Sequence, residues 1–223
     1  MRTILREGVF MSFYVIFDMD GTLLDTQRQC IPAWDYAGEV AGIGPIGYCI
    51  PDVCGTNKAG WTAYLKRNFP TLDTDFFNKT VEDYFKTHHI VEAKKGMFEL
   101  LEFLKQNGVK TAVASGGTTK LIKYNFDKLG ATDLFCELVG GDMVENGKPA
   151  PDIFLLAAEK IGAKPSRCFV FEDSKNGILA AHKAGMKCIG IPDLVQFDDD
   201  TKKLLFCELS SLDEAIDIFK NLL

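Results

Sequence analysis

From Val91 to the C-terminus, segments with helical periodicity alternate with short apolar segments that are typical of buried strands. This alternation indicates a parallel sheet whose crossover helices cover both faces. Glycines at positions 108, 130, 162 and 185 stand where successive helices would end, and glycine commonly follows the last turn of a helix. The sequence therefore predicts an α/β fold with a Rossmann-like parallel sheet.

The predicted elements of this region follow one another at short intervals. Helices are expected at 96–106, 119–129, 151–161, 175–184 and 212–219. Strands are expected at 109–114, near 138–139, at 168–171, at 188–191 and near 205–207. A further apolar run, Tyr14–Phe17, predicts one more strand far upstream.

The pattern changes between Asp25 and about His89, where three longer amphipathic segments occur without a strand-like run between them. These segments cover 30–41, 58–68 and 75–87. We interpret them as a small helical cap domain inserted into the α/β domain. The predicted boundaries are 12–25 and 91–223 for the α/β core domain and 26–90 for the cap domain. The short polar stretches 25–27 and 91–95 would serve as paired hinges.

Composition excludes several classes of function. The 223 residues have a formal net charge of −6, whereas non-specific nucleic-acid binding needs clustered Lys and Arg. No segment approaches the roughly 18 apolar residues needed to cross a bilayer, and residues 1–13 lack the apolar stretch of a signal peptide. Met11 is an alternative to Met1 as the natural start. We expect neither a nucleic-acid nor a membrane partner, and the sequence leaves monomer and weak oligomer equally open.

The seven cysteines are odd in number, scattered and free of C-x-x-C pairs. We interpret them as reduced and mostly structural thiols, since free cysteine is commonly buried. Reduced thiols indicate a cytoplasmic location.

Four polar segments follow predicted strands, at the edge of a parallel sheet where ligands bind. These are Asp18 and Asp20 after strand 14–17, Ser115 and Gly116 after strand 109–114, Lys148 within the segment 147–152, and Glu172 and Asp173 after strand 168–171. Crowded carboxylates at such an edge call for a cation, and Mg²⁺ prefers oxygen ligands. The pattern predicts phosphoryl-transfer chemistry with Mg²⁺ as cofactor.

Each of these residue types has a chemical reason to be there. Asp18 is first out of its strand and is the predicted nucleophile, because a carboxylate can split phosphate-ester hydrolysis into formation and breakdown of an aspartyl-phosphate. A metal held by Asp18 and Asp173 would offset the repulsion between this carboxylate and the phosphate. Lys148 would add positive charge, while Ser115 and Gly116 would offer hydroxyl and N–H donors to phosphate oxygens.

In this order, the four motifs resemble those of the haloacid dehalogenase superfamily, specifically its β-phosphoglucomutase-like phosphatases with a helical C1-type cap. The resemblance covers nearly the whole chain from Tyr14. It implies that Asp20 gives its backbone carbonyl to Mg²⁺, which frees its side chain to act as general acid and base. Glu172 would then steady metal-bound water. The implied function is Mg²⁺-dependent hydrolysis of a small phosphorylated metabolite, such as a sugar phosphate.

Two other enzymes of that superfamily are alternatives. A dehalogenase lacks the second aspartate, so Asp20 argues against it. A phosphomutase like β-phosphoglucomutase uses an early cap histidine, and the matching position here is Cys30. Because a thiol cannot replace an imidazole in that role, hydrolysis is favoured. Lys58 stands where the mutase keeps an arginine of its substrate loop, so we expect Lys58 to contact substrate, without the bidentate geometry of arginine.

A non-catalytic binding module that kept the fold is a third alternative, from a different class. It would be expected to have lost part of the catalytic set. Asp18, Asp20, Lys148 and Asp173 are all present, which favours an enzyme.

Overall fold

A computed structural model of the chain describes residues 13–223, so the question of Met1 or Met11 as the start lies outside the described residues. Six strands form one parallel sheet in the order β3-β2-β1-β4-β5-β6. The strands are β1 (Tyr14–Phe17), β2 (Thr111–Ser115), β3 (Glu137–Gly140), β4 (Cys168–Glu172), β5 (Lys187–Gly190) and β6 (Leu205–Glu208). This sheet confirms the α/β fold that the alternating pattern predicts.

Helices connect the strands and also form the inserted region. They are α1 (Gln27–Val40), α2 (Ile50–Val53), α3 (Lys58–Asn68), α4 (Thr74–His88), α5 (Met97–Gln106), α6 (Thr119–Leu129), α7 (Asp152–Lys160), α8 (Lys175–Lys183), α9 (Asp199–Lys202) and α10 (Ala215–Lys220). Short 3₁₀ turns occur at Gly47–Cys49, Thr132–Leu134, Gly141–Met143, Pro165–Arg167 and Leu212–Glu214.

The central strand β1 is buried on both faces of the sheet. Successive side chains of a strand point to opposite faces, and Val15 and Phe17 pack in one apolar layer while Ile16 packs in the other. Helices α5, α6 and α10 contribute to the first layer, and α7 and α8 contribute to the second. Apolar residues therefore fill β1 until the strand ends at Phe17, and the first polar side chain emerges as Asp18.

The region between β1 and α5 is helical, as predicted, and it has an apolar core of its own. Trp34 of α1 and Phe77 of α4 meet edge to face in this core, with 5.4 Å between the ring centroids. Arg28 of α1 and Lys94 both reach the carboxylate of Asp193, which follows β5, at 2.9 and 2.6 Å. The Arg28 pair joins the inserted helices to the sheet domain. The domain boundaries at 26 and 90 stay a prediction.

The element boundaries differ from the predicted ones where helices are short or begin in polar sequence. Helix α1 begins at Gln27, three residues before the predicted start, and the predicted helix 212–219 is divided between a 3₁₀ turn and α10. Sequence periodicity also misses α2 and α9 because each has only four residues, about one turn.

None of the helices within residues 13–223 has the length and apolar character needed to cross a bilayer. The seven cysteines all lie in this range, and all of them are free thiols, as the sequence pattern indicates.

We expect truncation of one core leucine to show how tightly the α5 layer is packed. Leu104 is fully buried beneath the sheet, so Leu104→Ala should lower the free energy of unfolding by about 2–5 kcal/mol through lost burial and a residual cavity. The matched change Leu155→Ala, at a leucine of α7 that is 39% exposed, should cost less than about 1 kcal/mol. Urea denaturation checks both values, and equal losses would contradict this packing.

Candidate active site

Lys148 joins two carboxylates at the carboxyl end of the sheet. Its Nζ donates to Asp18 Oδ1 at 2.5 Å and to Glu172 Oε1 at 2.6 Å, and its side chain is 1% exposed. Asp18 directly follows β1, Glu172 ends the neighbouring strand β4, and Lys148 lies in the loop between β3 and α7. The parallel pairing of β1 with β4 thus brings together groups that are more than a hundred residues apart in the chain.

Asp173 completes a compact group of carboxylates. Asp18, Glu172 and Asp173 are all buried, and each has an oxygen within 4.8 Å of an oxygen of the other two. In the part of the chain that the structure describes, the ammonium bonded within this group is that of Lys148, so ionised carboxylates would leave an excess of negative charge. Oxygen donors with uncompensated negative charge suit Mg²⁺. The residues present therefore fit the predicted cation.

The buried carboxyls have strongly shifted proton affinities. Burial raises the pKa of Asp18 to about 8, because desolvation outweighs the opposing charge of Lys148. Burial, together with the charges of Glu172 and Asp18, raises the pKa of Asp173 well above its usual value. Burial alone would lower the pKa of Lys148, but the two carboxylates outweigh it and raise that pKa. Lys148 therefore stays charged, and a cation that binds here has to displace protons.

Gln27 enters this group from the cap, at the first residue of α1. Its Nε2 donates to the backbone carbonyl of Asp20 at 2.7 Å and to Asp173 Oδ2 at 2.8 Å. Thr22 Oγ1 donates to the other oxygen of Asp173 at 3.1 Å. The amide nitrogen of Gln27 thus lies between two oxygens that we expect to hold the cation.

Gly21 makes this close approach possible. Its φ of +89° lies in the left-handed region, where residues with a Cβ are strained. A Cβ at this position would also lie 2.6 Å from Gln27 Nε2. The glycine of the Asp-Met-Asp-Gly-Thr motif is therefore required both by backbone conformation and by space.

Asp20 is held by two hydroxyl groups. Thr26 Oγ1 donates to its Oδ1 at 2.6 Å, and Ser115 Oγ donates to its Oδ2 at 3.0 Å. The backbone N–H of Gly117 donates in turn to Ser115 Oγ at 3.0 Å. These bonds fix the orientation of the carboxyl beside the nucleophile that the sequence predicts.

Glu172 is bonded on both of its oxygens. The ammonium of Lys148 donates to Oε1, while the backbone N–H and the hydroxyl of Ser174 both donate to Oε2 at 2.9 Å. Ser174 also caps α8, because its Oγ accepts from the N–H of Gly177 at 3.0 Å. The start of α8 thus fixes the carboxylate that holds Lys148 in place.

A cavity of about 440 Å³ lies between this polar group and the cap. Asp18, Asp20 and Gly116 line it from the sheet domain, and Lys58 lines it from α3. Gly116 allows the cap to come close, since a Cβ there would lie 2.8 Å from the backbone oxygen of Thr56. Lys58 is exposed and pairs with Glu82 of α4 at 2.8 Å.

The structure therefore brings most of the predicted site residues together and leaves Lys58 on the opposite wall. Two hydrogen-bonded sets lie side by side, with oxygens of Asp18, Glu172 and Asp173 within 4.8 Å of one another. Lys148 joins Asp18 and Glu172 in one set, and the other links Asp173, Asp20 and Ser115 with Gln27, Thr22 and Thr26. Sequence analysis missed three members, Gln27, Thr22 and Thr26. Thr22 and Thr26 follow Asp20 by two and six residues, close to the conspicuous motif, whereas Gln27 carries no signal except its place at the predicted hinge.

Comparison with known proteins agrees with this geometry. The profile of haloacid dehalogenase-like hydrolases matches residues 14–185, which is more than half of the chain. The chain belongs to the haloacid dehalogenase-like hydrolase family. Within that family it is a phosphatase of the subgroup that resembles β-phosphoglucomutase and phosphoglycolate phosphatase and carries a C1 cap.

Three relatives illustrate how far the likeness extends. A phosphorylated carbohydrates phosphatase of Thermotoga maritima is 31% identical over 215 residues, covering 94% of this chain and 99% of the relative. A crystal structure of a hydrolase from Pseudomonas syringae has 25% identity and a TM-score of 0.82, and the match covers 94% of this chain and 99% of the hydrolase. The β-phosphoglucomutase of Clostridium difficile has a TM-score of 0.75, and the match covers 95% of this chain and 96% of the mutase. At 20% identity, this last likeness concerns the fold alone.

We expect Mg²⁺ to bind the carboxylate group and to stabilise this phosphatase. At about a hundredfold excess over Kd, binding to the folded state alone adds about 2.7 kcal/mol, or roughly 5–10 °C in Tm. The increase should be larger at pH 8 than at pH 6, because Asp18, with its pKa raised to about 8, has to lose its proton when the metal binds.

Thermal denaturation with and without MgCl₂ checks this expectation. Asp173→Asn should remove most of the increase, whereas the exposed control Asp133→Asn should keep it. An equal increase in both variants would contradict the placement of the cation.

Gln27→Ala should tighten the binding of divalent cations. The substitution frees the Asp20 carbonyl and Asp173 Oδ2 from the amide that occupies them. Isothermal titration with Mg²⁺ and Mn²⁺ should show a Kd lower by about three- to tenfold, the worth of one or two hydrogen bonds. The control is Gln106→Ala, an exposed glutamine at the end of α5. Unchanged or weaker binding in Gln27→Ala would show that the amide does not compete with the metal.

Proposed function

We propose that this chain is a Mg²⁺-dependent phosphatase that hydrolyses a small phosphorylated metabolite through an aspartyl-phosphate on Asp18. The observation that carries the proposal is the buried pair of Lys148 and Asp18 at the floor of the cap cavity. Lys148 holds the carboxylate in place, and Asp18 faces the space where a phosphate would enter. Uncatalysed phosphomonoester hydrolysis is extremely slow because its activation barrier is high. A covalent intermediate replaces that single step by two steps with lower barriers.

In the first step, a carboxylate oxygen of Asp18 forms a bond to phosphorus while the bond from phosphorus to the leaving oxygen breaks. The carboxyl of Asp20, oriented by Thr26 and Ser115, gives its proton to that oxygen. In the second step, water attacks the phosphorus, its proton passes to Asp20, and Asp18 is released with inorganic phosphate. Asp20 thus serves as acid and then as base.

The proposed Mg²⁺ ligands are the carboxylates of Asp18 and Asp173 and the backbone carbonyl of Asp20. When bound, the cation would supply positive charge that offsets the repulsion of the nucleophile and the phosphate. Glu172 contributes by fixing Lys148, and we propose that it also steadies water at the metal. Ser115, the last residue of β2, and Gly116, which lines the cavity, are the proposed phosphate contacts. Lys58, on the cap side of the cavity, is the proposed contact for the leaving group.

Hydrolysis is favoured over the phosphomutase reaction by the side chain at position 30. Burial, together with the charge of Asp20, raises the pKa of the Cys30 thiol to about 12. Its Sγ is a weak donor to the backbone oxygen of Thr26. A thiol that keeps its proton at neutral pH cannot take over acid-base work from an imidazole. Water is therefore the proposed acceptor of the phosphoryl group.

The identity of the metabolite depends on what the cap cavity accepts. The Thermotoga relative is named for phosphorylated carbohydrates, which supports a sugar phosphate as one candidate substrate. None of the seven cysteines, all within residues 13–223, forms a disulfide in the structure, which supports a cytoplasmic location.

Removal of the nucleophile tests the mechanism. Asp18→Asn should lower kcat by more than about 10³-fold, because an amide oxygen cannot form the covalent intermediate. Asp20→Asn should lower kcat by about 10²–10⁴-fold through loss of proton transfer. Steady-state phosphate release from a panel of sugar phosphates and phosphoglycolate, with Mg²⁺, measures both losses.

The control is Asp133→Asn, which should keep wild-type turnover, and circular dichroism should show that all three variants fold. Substantial turnover by Asp18→Asn would contradict its role. Chromatography of the products tests the mutase alternative, since isomerised sugar phosphate instead of free phosphate would show transfer to the substrate.

A further inference from the structure

The upper wall of the cap cavity is unusually apolar for a site expected to take a polyhydroxylated sugar. Its apolar lining comes from all four cap helices and consists mainly of Cys30, Trp34, Ile50, Val53, Trp61 and Phe85. The volume of about 440 Å³ falls within the range of small-molecule pockets. A ligand of modest size would therefore contact mostly carbon on this side.

Polar side chains on this wall already have partners within the protein. Asn78 accepts from Trp61 Nε1 and donates to Thr62 Oγ1, both at 3.1 Å. Thr56 Oγ1 donates to the backbone oxygen of Val53 at 2.7 Å. The N–H of the Trp61 indole is thus satisfied, and this ring offers carbon surface to a ligand.

The exception is an ion pair that remains open to solvent. Lys58 and Glu82 are 2.8 Å apart, and their side chains are 59% and 57% exposed. Both residues line the cavity, and both keep room for further hydrogen bonds. A polar group of a ligand could bond there while it stays in contact with water.

A sugar leaving group fits this wall poorly. Each hydroxyl that loses water without gaining a protein partner costs free energy. Aromatic rings, in contrast, pack well against indole and phenyl side chains, through both area burial and favourable ring contacts. The chemistry of the wall is complementary to a ring and not to a polyol.

We propose that the natural substrate is a phosphomonoester whose leaving group carries an aromatic, largely apolar body with a polar end. The body occupies the space between Trp34, Trp61 and Phe85, and the polar end reaches Lys58 and Glu82. This inference rests on the proposed phosphatase function and adds the class of the leaving group to it.

A matched pair of esters tests the inference. The Mg²⁺-loaded enzyme is assayed with 2-phenylethyl phosphate and with glucose 6-phosphate, which are both esters of primary alcohols. We expect kcat/KM to be at least about tenfold higher for the aromatic ester. Acetyl phosphate serves as a third substrate, because its small acyl group probes phosphoryl transfer without needing the apolar wall.

The three assays separate the two claims. If none of the three substrates is hydrolysed, the phosphatase function fails and the substrate inference fails with it. If acetyl phosphate is hydrolysed but glucose 6-phosphate matches or exceeds the aromatic ester, the function stands and the inference is overturned. Preference for the aromatic ester supports both.

A pair of variants on one helix localises the effect. Phe85 lines the cavity, whereas Phe76 on the same helix α4 is 48% exposed and lies outside the lining. Phe85→Asn should lower the ratio of kcat/KM for 2-phenylethyl phosphate to kcat/KM for acetyl phosphate by about fivefold or more. Phe76→Asn should leave that ratio unchanged. Equal effects of the two variants on the aromatic ester would overturn the inference.

Binding can be followed directly, because both tryptophans of the protein, Trp34 and Trp61, line this cavity. In the Asp18→Asn variant, 2-phenylethyl phosphate should change the tryptophan emission at concentrations at least about tenfold below those that glucose 6-phosphate requires. Emission that responds to both esters at the same concentration would contradict the proposed complementarity.

Discussion

The site is organised around one buried ammonium and the carboxylates that surround it. Lys148 lies at the centre of the sheet edge and bonds to Asp18 and Glu172 from a position that solvent barely reaches. A buried charge is tolerated only when it is paired and hydrogen-bonded. The two central strands provide that pairing, because they are parallel neighbours. Asp18 follows the end of β1, and Glu172 and Asp173 lie at the end of β4 beside it. Removing the ammonium of Lys148 would leave these buried carboxylates without the positive charge that pairs with them.

The same arrangement prepares the site for a cation and links it to the cap. Burial raises the pKa of Asp18 and of Asp173, which favours protonation of these carboxyls when no cation is bound. The amide of Gln27 donates a hydrogen bond to Asp173 in the same group. Gln27 begins helix α1, and the same helix carries Arg28, which pairs with Asp193 of the sheet domain. Two consecutive residues at the start of the cap therefore contact the carboxylate group and the sheet domain.

Much of this arrangement could be predicted from the sequence, because it follows from short local patterns. The alternation of helical and strand-like segments after Val91 predicts the parallel sheet. The polar residues that follow the strands predict which edge of the sheet holds the site. Lys148 is less obvious, since an isolated lysine is usually exposed and its loop has no regular structure. The accompanying motifs indicate its role, and the structure places it beside Asp18.

Other features depend on contacts that no local pattern encodes. Gln27 reaches a carboxylate 146 positions away, and only the three-dimensional path of the cap reveals that contact. The apolar character of the cavity comes from residues spread over four helices, and those of α1, α3 and α4 belong to ordinary amphipathic faces. Sequence periodicity shows that such side chains face inward, but it cannot distinguish a packed core from a wall that a ligand covers. The four-residue helices α2 and α9 fall below the length at which periodicity is visible.

The central claim is that Asp18 forms a covalent bond to phosphorus, and trapping that intermediate tests it most directly. The Mg²⁺-loaded enzyme is mixed with acetyl phosphate, quenched in acid during turnover and digested, and the peptides are analysed by mass spectrometry. The account predicts a phosphoryl group on the peptide that contains Asp18, at the first aspartate of the Asp-Met-Asp-Gly-Thr motif. A phosphoryl group on Asp20 or on any other residue, with Asp18 unmodified during active turnover, would contradict it.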